Sequence, residues 1–87
     1  MYRIEYRKAA IKDLDEIPVA IQERIFSVVD SLGLNPFPRG IRKLKNEKKR
    51  FRIRVGVYRV VYRVFSSEKL VIVEFIRHRK AIYRNLD

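Results

Sequence analysis

Arg50, Arg52, Arg54, Arg59 and Arg63 alternate with apolar residues along RFRIRVGVYRVVYRVF, on both sides of Gly56. Folded as a hairpin about Gly56 and Val57, with Val55 paired to Tyr58, the stretch segregates, because strand side chains alternate faces with period two. Phe51, Ile53, Val55, Tyr58, Val60, Tyr62 and Val64 fall on one face. The five arginines share the other with Val57 and Val61. Arg54 then lies opposite Arg59, an unfavourable like-charge pair that calls for compensation from outside the hairpin. The chemistry this implies is capture of a polyanion, since a planar, forked guanidinium matches phosphate oxygens better than the point charge of lysine.

The rest of the chain must supply a core behind that hairpin. Tyr2, Ile4 and Tyr6 alternate with Arg3, Glu5 and Arg7, the pattern of a half-buried first strand. The period then becomes helical. Ala10, Ile11, Leu14 and Ile17 predict one side of a short helix that ends at Pro18, and Pro18 suits the first turn of the next. Ile21, Ile25, Val28, Val29 and Leu32 form the stripe of that second helix, which Gly33 is placed to end. Residues 35–40 read as a loop, and Ile41 to Lys49 as a basic connection. Leu70 to Ile76 reads as a further strand. Pairing Phe65 with Leu70 puts Val71, Val73 and Phe75 on the core face and Leu70, Ile72 and Ile76 on the arginine side, so this strand is apolar on both faces and internal to the sheet. Glu74 is expected near Val61, diagonal to Arg59 and Arg63. The predicted architecture is a two-layer α+β domain, with two helices on one face of a four-stranded antiparallel-type sheet in the order β-α-α-β-β-β. A short helix is one option for Arg79 to Leu86. The arginine face is expected to stay open.

At 87 residues the chain has room for one domain, 1–87, and one small core. It has no cysteine, which excludes disulfides and cysteine-based zinc sites. No apolar run approaches the roughly 18 residues of a membrane span, so the expectation is a soluble cytoplasmic protein without a membrane partner. The net charge is +11 and unevenly distributed. Residues 1–38 hold five Lys or Arg against six Asp or Glu, and residues 39–87 hold sixteen against four. A single-sign second half is poorly suited to ion-pair networks and well suited to attracting nucleic acid.

The element order, the hairpin pattern FRIRVGVYRVVY and the terminal IRHRKAIYR resemble the RelE/ParE superfamily of toxin–antitoxin toxins, most closely its RelE-type members. The resemblance runs through essentially the whole chain, and IPVAIQERI in the helical hairpin adds weaker support. It implies the RelE-like fold and metal-free cleavage of messenger RNA, commonly in the ribosomal A site, with no cofactor. It also implies neutralisation by a co-expressed antitoxin. Arg52 and Arg54 occupy the positions of a basic pair in RelE itself, and Arg59 matches the arginine after the strand tyrosine. Arg79 and Tyr83 resemble the terminal arginine and tyrosine of the site, with Arg77 a competing match for that arginine. His78 sits where several relatives carry a histidine.

Such cleavage proceeds by attack of the 2′-hydroxyl on the adjacent phosphorus and needs a base, a stabiliser of the phosphorane and an acid. Arg59 and Arg79 suit the stabilising role as cations aimed at developing charge. Arg52 and Arg54 replace lysines expected in RelE itself, and a guanidinium with a pKa above about 12 is a poor base. His78, Tyr83, Lys45 and Glu74 remain for proton transfer, and histidine, with an ordinary pKa of about 6.5, is the easiest choice. The roles implied are Arg59 and Arg79 on phosphate and His78 or Tyr83 in proton transfer, with Arg52, Arg54, Arg63, Arg77 and Lys45 binding RNA. Glu74 is expected mainly to quiet Arg59 or Arg63. Lys43, Lys48 and Lys49 are expected to contact RNA backbone nonspecifically. The implied partners are mRNA, the ribosome and a RelB-like antitoxin, acidic or amphipathic and helical, forming a heterotetramer. Two other functions fit the same residues: a ParE-like gyrase poison without nuclease activity, and a noncatalytic RNA-binding module.

Overall fold

The computed structural model describes residues 1–44 and 49–80. Strand β1 (Arg3–Tyr6) leads into helices α1 (Lys8–Asp15) and α2 (Val19–Leu32), followed by β2 (Arg42–Lys43), β3 (Arg50–Val55), β4 (Tyr58–Phe65) and β5 (Leu70–His78). The architecture is the two-layer α+β arrangement read from the sequence, and β5 is internal as expected. Among the described residues the sheet nevertheless has five strands, in the order β1-β5-β4-β3-β2, and is mixed. β1 pairs parallel to β5, from Arg3 opposite Leu70 to Tyr6 opposite Val73. The fifth strand is Arg42–Lys43, inside the segment expected to be only a basic connection; it pairs with Phe51 and Arg52. The tail proposed as a short helix lies largely outside the described residues, as do Lys45 and Tyr83.

The hairpin register is the expected one, with Val55 opposite Tyr58 and Arg54 opposite Arg59. Gly56 has φ +61° and Val57 no positive φ, the pattern of a II′ turn, whose twist suits a two-residue hairpin. Gly33 serves a different purpose. Its own backbone is helical, but a Cβ there would lie 3.1 Å from the carbonyl oxygens of both Asp30 and Tyr2. The missing side chain lets β1 approach α2 closely enough for the Tyr2 amide to donate to the Gly33 carbonyl at 2.7 Å.

The helices cover one sheet face. Ala10, Leu14, Ile17, Ile25 and Val29 pack on Val55, Val60, Val73 and Ile76, and Leu32 packs with Tyr62, Val64 and Val71. Tyr62 is fully buried, and its hydroxyl donates to the Pro36 carbonyl at 2.9 Å, so the loop after α2 is tied to the core. Ile11, expected on the buried side of α1, is 51% exposed.

One irregularity changes the outcome of β5. The ladder runs as predicted from Phe65 opposite Leu70 to Tyr62 opposite Val73; then Val61 pairs with Phe75, leaving Glu74 as an extra residue in a β-bulge. Every later side chain therefore changes face. Ile76, expected on the arginine side, is 2% exposed in the core. Phe75, expected in the core, lies on the arginine side against Val61 and Leu44. An unbroken register would have buried Phe75 under the helices and aimed Ile76 at Arg59. The bulge leaves Glu74 on the arginine side, where the unbroken register also has it, and returns Ile76 to the core. The arginine face is also less open than expected, because Leu44 and Phe75 enclose Val61 completely.

Candidate anion-binding site

Carboxylates reach the arginines at two margins of the sheet face. At one end of the face Glu74 faces Arg50 and Arg63. Its Oε1 lies 2.7 Å from Arg50 Nε, its Oε2 accepts from Arg63 Nε at 2.9 Å, and Arg7 Nε is 3.6 Å away. The Glu74 side chain is only 9% exposed. A carboxylate so far out of water is stable as an anion only with such partners. Glu74 thus quiets Arg63, one of the two arginines anticipated, and not Arg59.

Arg77 is engaged separately. The bulge places it opposite Arg59, yet its guanidinium pairs with the Asp13 carboxylate on α1 and stacks 5.0 Å from the Phe75 ring centroid. The same Asp13 oxygen accepts from the Ile76 amide at 2.9 Å. β1 ends at Tyr6, with the Arg7 amide making the last bond to Val73, so Asp13 stands in for the strand that β5 lacks beyond that point.

The remaining arginines line a pocket of about 700 Å³: Arg52, Arg54 and Arg59 from the sheet, with Arg39 and Arg42 from the segment that enters β2, beside Gly40 and Ile53. Among the described residues, no carboxylate lines it and neither Arg54 nor Arg59 has an acidic partner. Arg59 is the most constrained of them, 8% exposed, with Nη1 donating to the Tyr58 carbonyl at 3.2 Å and to Gly56 at 3.5 Å. Those bonds to the turn hold one guanidinium nitrogen and orient the group. Arg54 is exposed. Gly40, at φ +89°, turns the chain away with nothing within 4 Å of where a Cβ would sit, so β2 stops and the β3 edge beside Arg54 stays open. Five guanidiniums around one concavity make a strongly positive hollow suited to phosphate.

The structure thus brings together Arg52, Arg54 and Arg59 and holds Arg63 and Arg77 on internal carboxylates. His78 is opposite Tyr58, on the alternation that faces away from Arg59. Its exposed ring meets Tyr58 edge-on at 5.8 Å, and its Nδ1 accepts from the Lys80 amide at 3.3 Å. Arg79 is tied to the same end of the sheet, its amide donating to the Val57 carbonyl at 2.7 Å. Arg39 and Arg42 were not singled out from the sequence. The signal available was the Arg39-Gly40 step itself, a cation beside a residue able to turn the chain into the hairpin edge.

Fold and pocket together define a small basic α+β domain with a guanidinium-lined hollow on the sheet face away from its helices. The model of the family described as "ParE toxin of type II toxin-antitoxin system, parDE" matches residues 4–83. Toxin RelE3 of Methanocaldococcus jannaschii is 33% identical over 85 residues, covering 93% of this chain and 94% of that protein. Among solved structures, the archaeal RelE–RelB complex from Pyrococcus horikoshii OT3 aligns with a TM-score of 0.80 at 30% identity, covering 90% of this chain and 94% of the other. The RelB–RelE antitoxin–toxin complex from Methanococcus jannaschii aligns at 0.77 and 28% identity, covering 95% and 99%. The chain belongs to the RelE/ParE superfamily of toxins of type II toxin–antitoxin systems.

Proposed function

We propose that this toxin cleaves mRNA, in the ribosomal A site, by metal-independent attack of a 2′-hydroxyl on the adjacent phosphate. The observation that carries the reading is the hollow lined by Arg39, Arg42, Arg52, Arg54 and Arg59, with no carboxylate among the described residues of its lining. Arg59, oriented by its bonds to the hairpin turn, and Arg79 bind the reacting phosphate and stabilise the phosphorane. Arg52 and Arg54, with Lys45, position the RNA. The charged side chains among the described residues lining the hollow are arginines, which stay protonated at neutral pH, so proton transfer is assigned to Tyr83, outside the described residues, or to His78, which reaches the same end of the sheet from the other alternation. A RelB-like antitoxin is the partner, in a heterotetramer, supported by the similar chains solved as RelE–RelB complexes. Two surfaces are suited to it: the cationic hollow, and an apolar one of about 250 Å³ on the helix layer lined by Tyr6, Ile11, Leu14 and Phe26.

The test is 5′-end mapping of transcripts after brief induction in cells and in a translating extract. New ends in translated messages that vanish in Arg59→Ala support the reading; intact transcripts in a growth-arrested culture overturn it. The description of the matching family as ParE favours gyrase inhibition as the second reading, and a supercoiling assay on the purified toxin decides it.

A further inference from the structure

Four guanidiniums of the hollow start from two rows of the sheet. Arg54 on β3 faces Arg59 on β4, and Arg52, two residues earlier on β3, faces Arg42 on β2. Two residues of a strand advance about 7 Å, close to the spacing of successive phosphates along an extended nucleic-acid strand. Each row is also a cross-strand pair of like charges, unfavourable in the free protein and relieved when an anion lies between its members. Arg39 joins the second row from the preceding loop. Gly40, at φ +89° with nothing within 4 Å of where a Cβ would sit, is required there by its backbone conformation and not by close packing. The turn it makes brings Arg39 to the lip of the hollow that Arg42 also lines. Both side chains are exposed, and among the described residues neither pairs with a carboxylate. Strand spacing and rise put the Cα atoms of Arg42 and Arg59 about 12 Å apart, so a phosphate seated against Arg54 and Arg59 leaves room for a neighbour at Arg39 and Arg42.

We propose that Arg39 and Arg42 form a second phosphate subsite, which holds the phosphate next to the one at Arg54 and Arg59 on the same single strand of RNA. The proposal rests on the hollow being the RNA site and is independent of whether the bound RNA is cut. The ligand it implies is a run of at least two consecutive phosphodiesters. A continuous strand then engages both rows, whereas a lone phosphodiester engages one. Because each added phosphate contact strengthens binding by releasing counterions, the lip makes affinity depend on the strand continuing past the first phosphate.

The experiment follows binding of fluorescein-labelled 2′-O-methyl oligoribonucleotides, which lack the attacking hydroxyl, by anisotropy over a salt series. On an octanucleotide, Arg39→Ala/Arg42→Ala is expected to lower the slope of log K against log salt by about 0.7, the value of one single-strand phosphate contact. Arg39→Ala alone should lower it in part, and decides the matter if the change at Arg42 disturbs the two-residue β2. Lys12→Ala, an equal loss of charge from an exposed position on α1, should leave the slope unchanged. An unlabelled 2′-O-methyl dinucleotide without terminal phosphates carries a single phosphodiester. It should compete equally well in the wild type and the double variant, since that phosphate goes to Arg54 and Arg59. An unchanged slope in the folded double variant overturns the proposal, as does an equal fall in Lys12→Ala or dinucleotide binding that weakens as much as octanucleotide binding. An unchanged slope with a weakened antitoxin complex overturns it in favour of an acidic protein segment at the lip. Intact transcripts in the mapping experiment would sink the nuclease reading and leave these slopes standing; unchanged slopes beside mapped ends would sink only the subsite.

Discussion

Arg59 and Arg77 occupy partnered positions on β4 and β5 only because β5 carries one extra residue at Glu74. Without that bulge Ile76 would face Arg59, and Arg77 would sit opposite Tyr58 at the margin of the helix layer. A single insertion into the ladder therefore sets which side chains of the last strand accompany the arginines.

Arg59→Ala should remove a preorganised cation from the hollow. Loss of one such donor at a developing oxyanion ordinarily costs about 100- to 1,000-fold in rate. The expected outcome is loss of growth arrest on induction and disappearance of mapped mRNA ends. The purified variant should still fold, as checked by circular dichroism. Arg59→Lys should recover only a small part, because lysine cannot bond the turn carbonyls and a phosphate with one planar group.

Glu74→Ala would leave Arg50 and Arg63 crowded beside Arg7 with their shared anion gone. Removing one partner of a fully buried pair costs about 3–5 kcal/mol. The retained exposure of the two arginines, 19% and 26%, reduces the expectation to about 2 kcal/mol. Urea denaturation should show the midpoint fall with little change in slope. Glu74→Gln should be milder, since an amide oxygen still accepts one guanidinium bond.

Alkaline stability should depend on Tyr6, whose phenol is pushed up to about 12 by burial and, secondarily, by the negative charge of Asp30. The raised value means that the folded chain keeps the proton while the unfolded chain gives it up. The stabilisation is complete below the unfolded pKa of about 10 and is lost as pH rises from there toward 12. Burial raises Tyr62 in the same direction. Tyr6→Phe should flatten the decline of the urea midpoint between about pH 9.5 and 11.5 relative to wild type, and a decline of unchanged steepness would show that other groups control it.

Tyr62→Phe isolates a single hydrogen bond. The ring stays in the core, but the Pro36 carbonyl loses the hydroxyl that donates to it at 2.9 Å. An unsatisfied buried acceptor costs about 1–3 kcal/mol, which in a domain of this size lowers Tm by roughly 4–8 °C per kcal/mol. Calorimetry would read the shift. RNA binding should change little, because Arg52, Arg54 and Arg59 project from the opposite face.

The features legible in the sequence were those written in neighbouring residues. Alternation about Gly56 sufficed for the hairpin register and for collecting five arginines on one face, since a one-residue slip would have exchanged all the valines and arginines at once. The helical stripes likewise announced which residues of α2 meet the sheet. The superfamily, too, was readable from FRIRVGVYRVVY and IRHRKAIYR. Tertiary structure decided what depends on residues distant in the chain. The parallel seating of β1 on β5 has no local signal, and neither does the pairing of β2 with β3. The bulge at Glu74, which puts Ile76 beneath the helices and Phe75 on the arginine side, also has no signal in the alternation. Asp13 and Arg77 are 64 positions apart, so no periodicity could reveal that one holds the other. Composition and alternation counted the cations; only packing determined which of them a carboxylate of the same molecule had already taken.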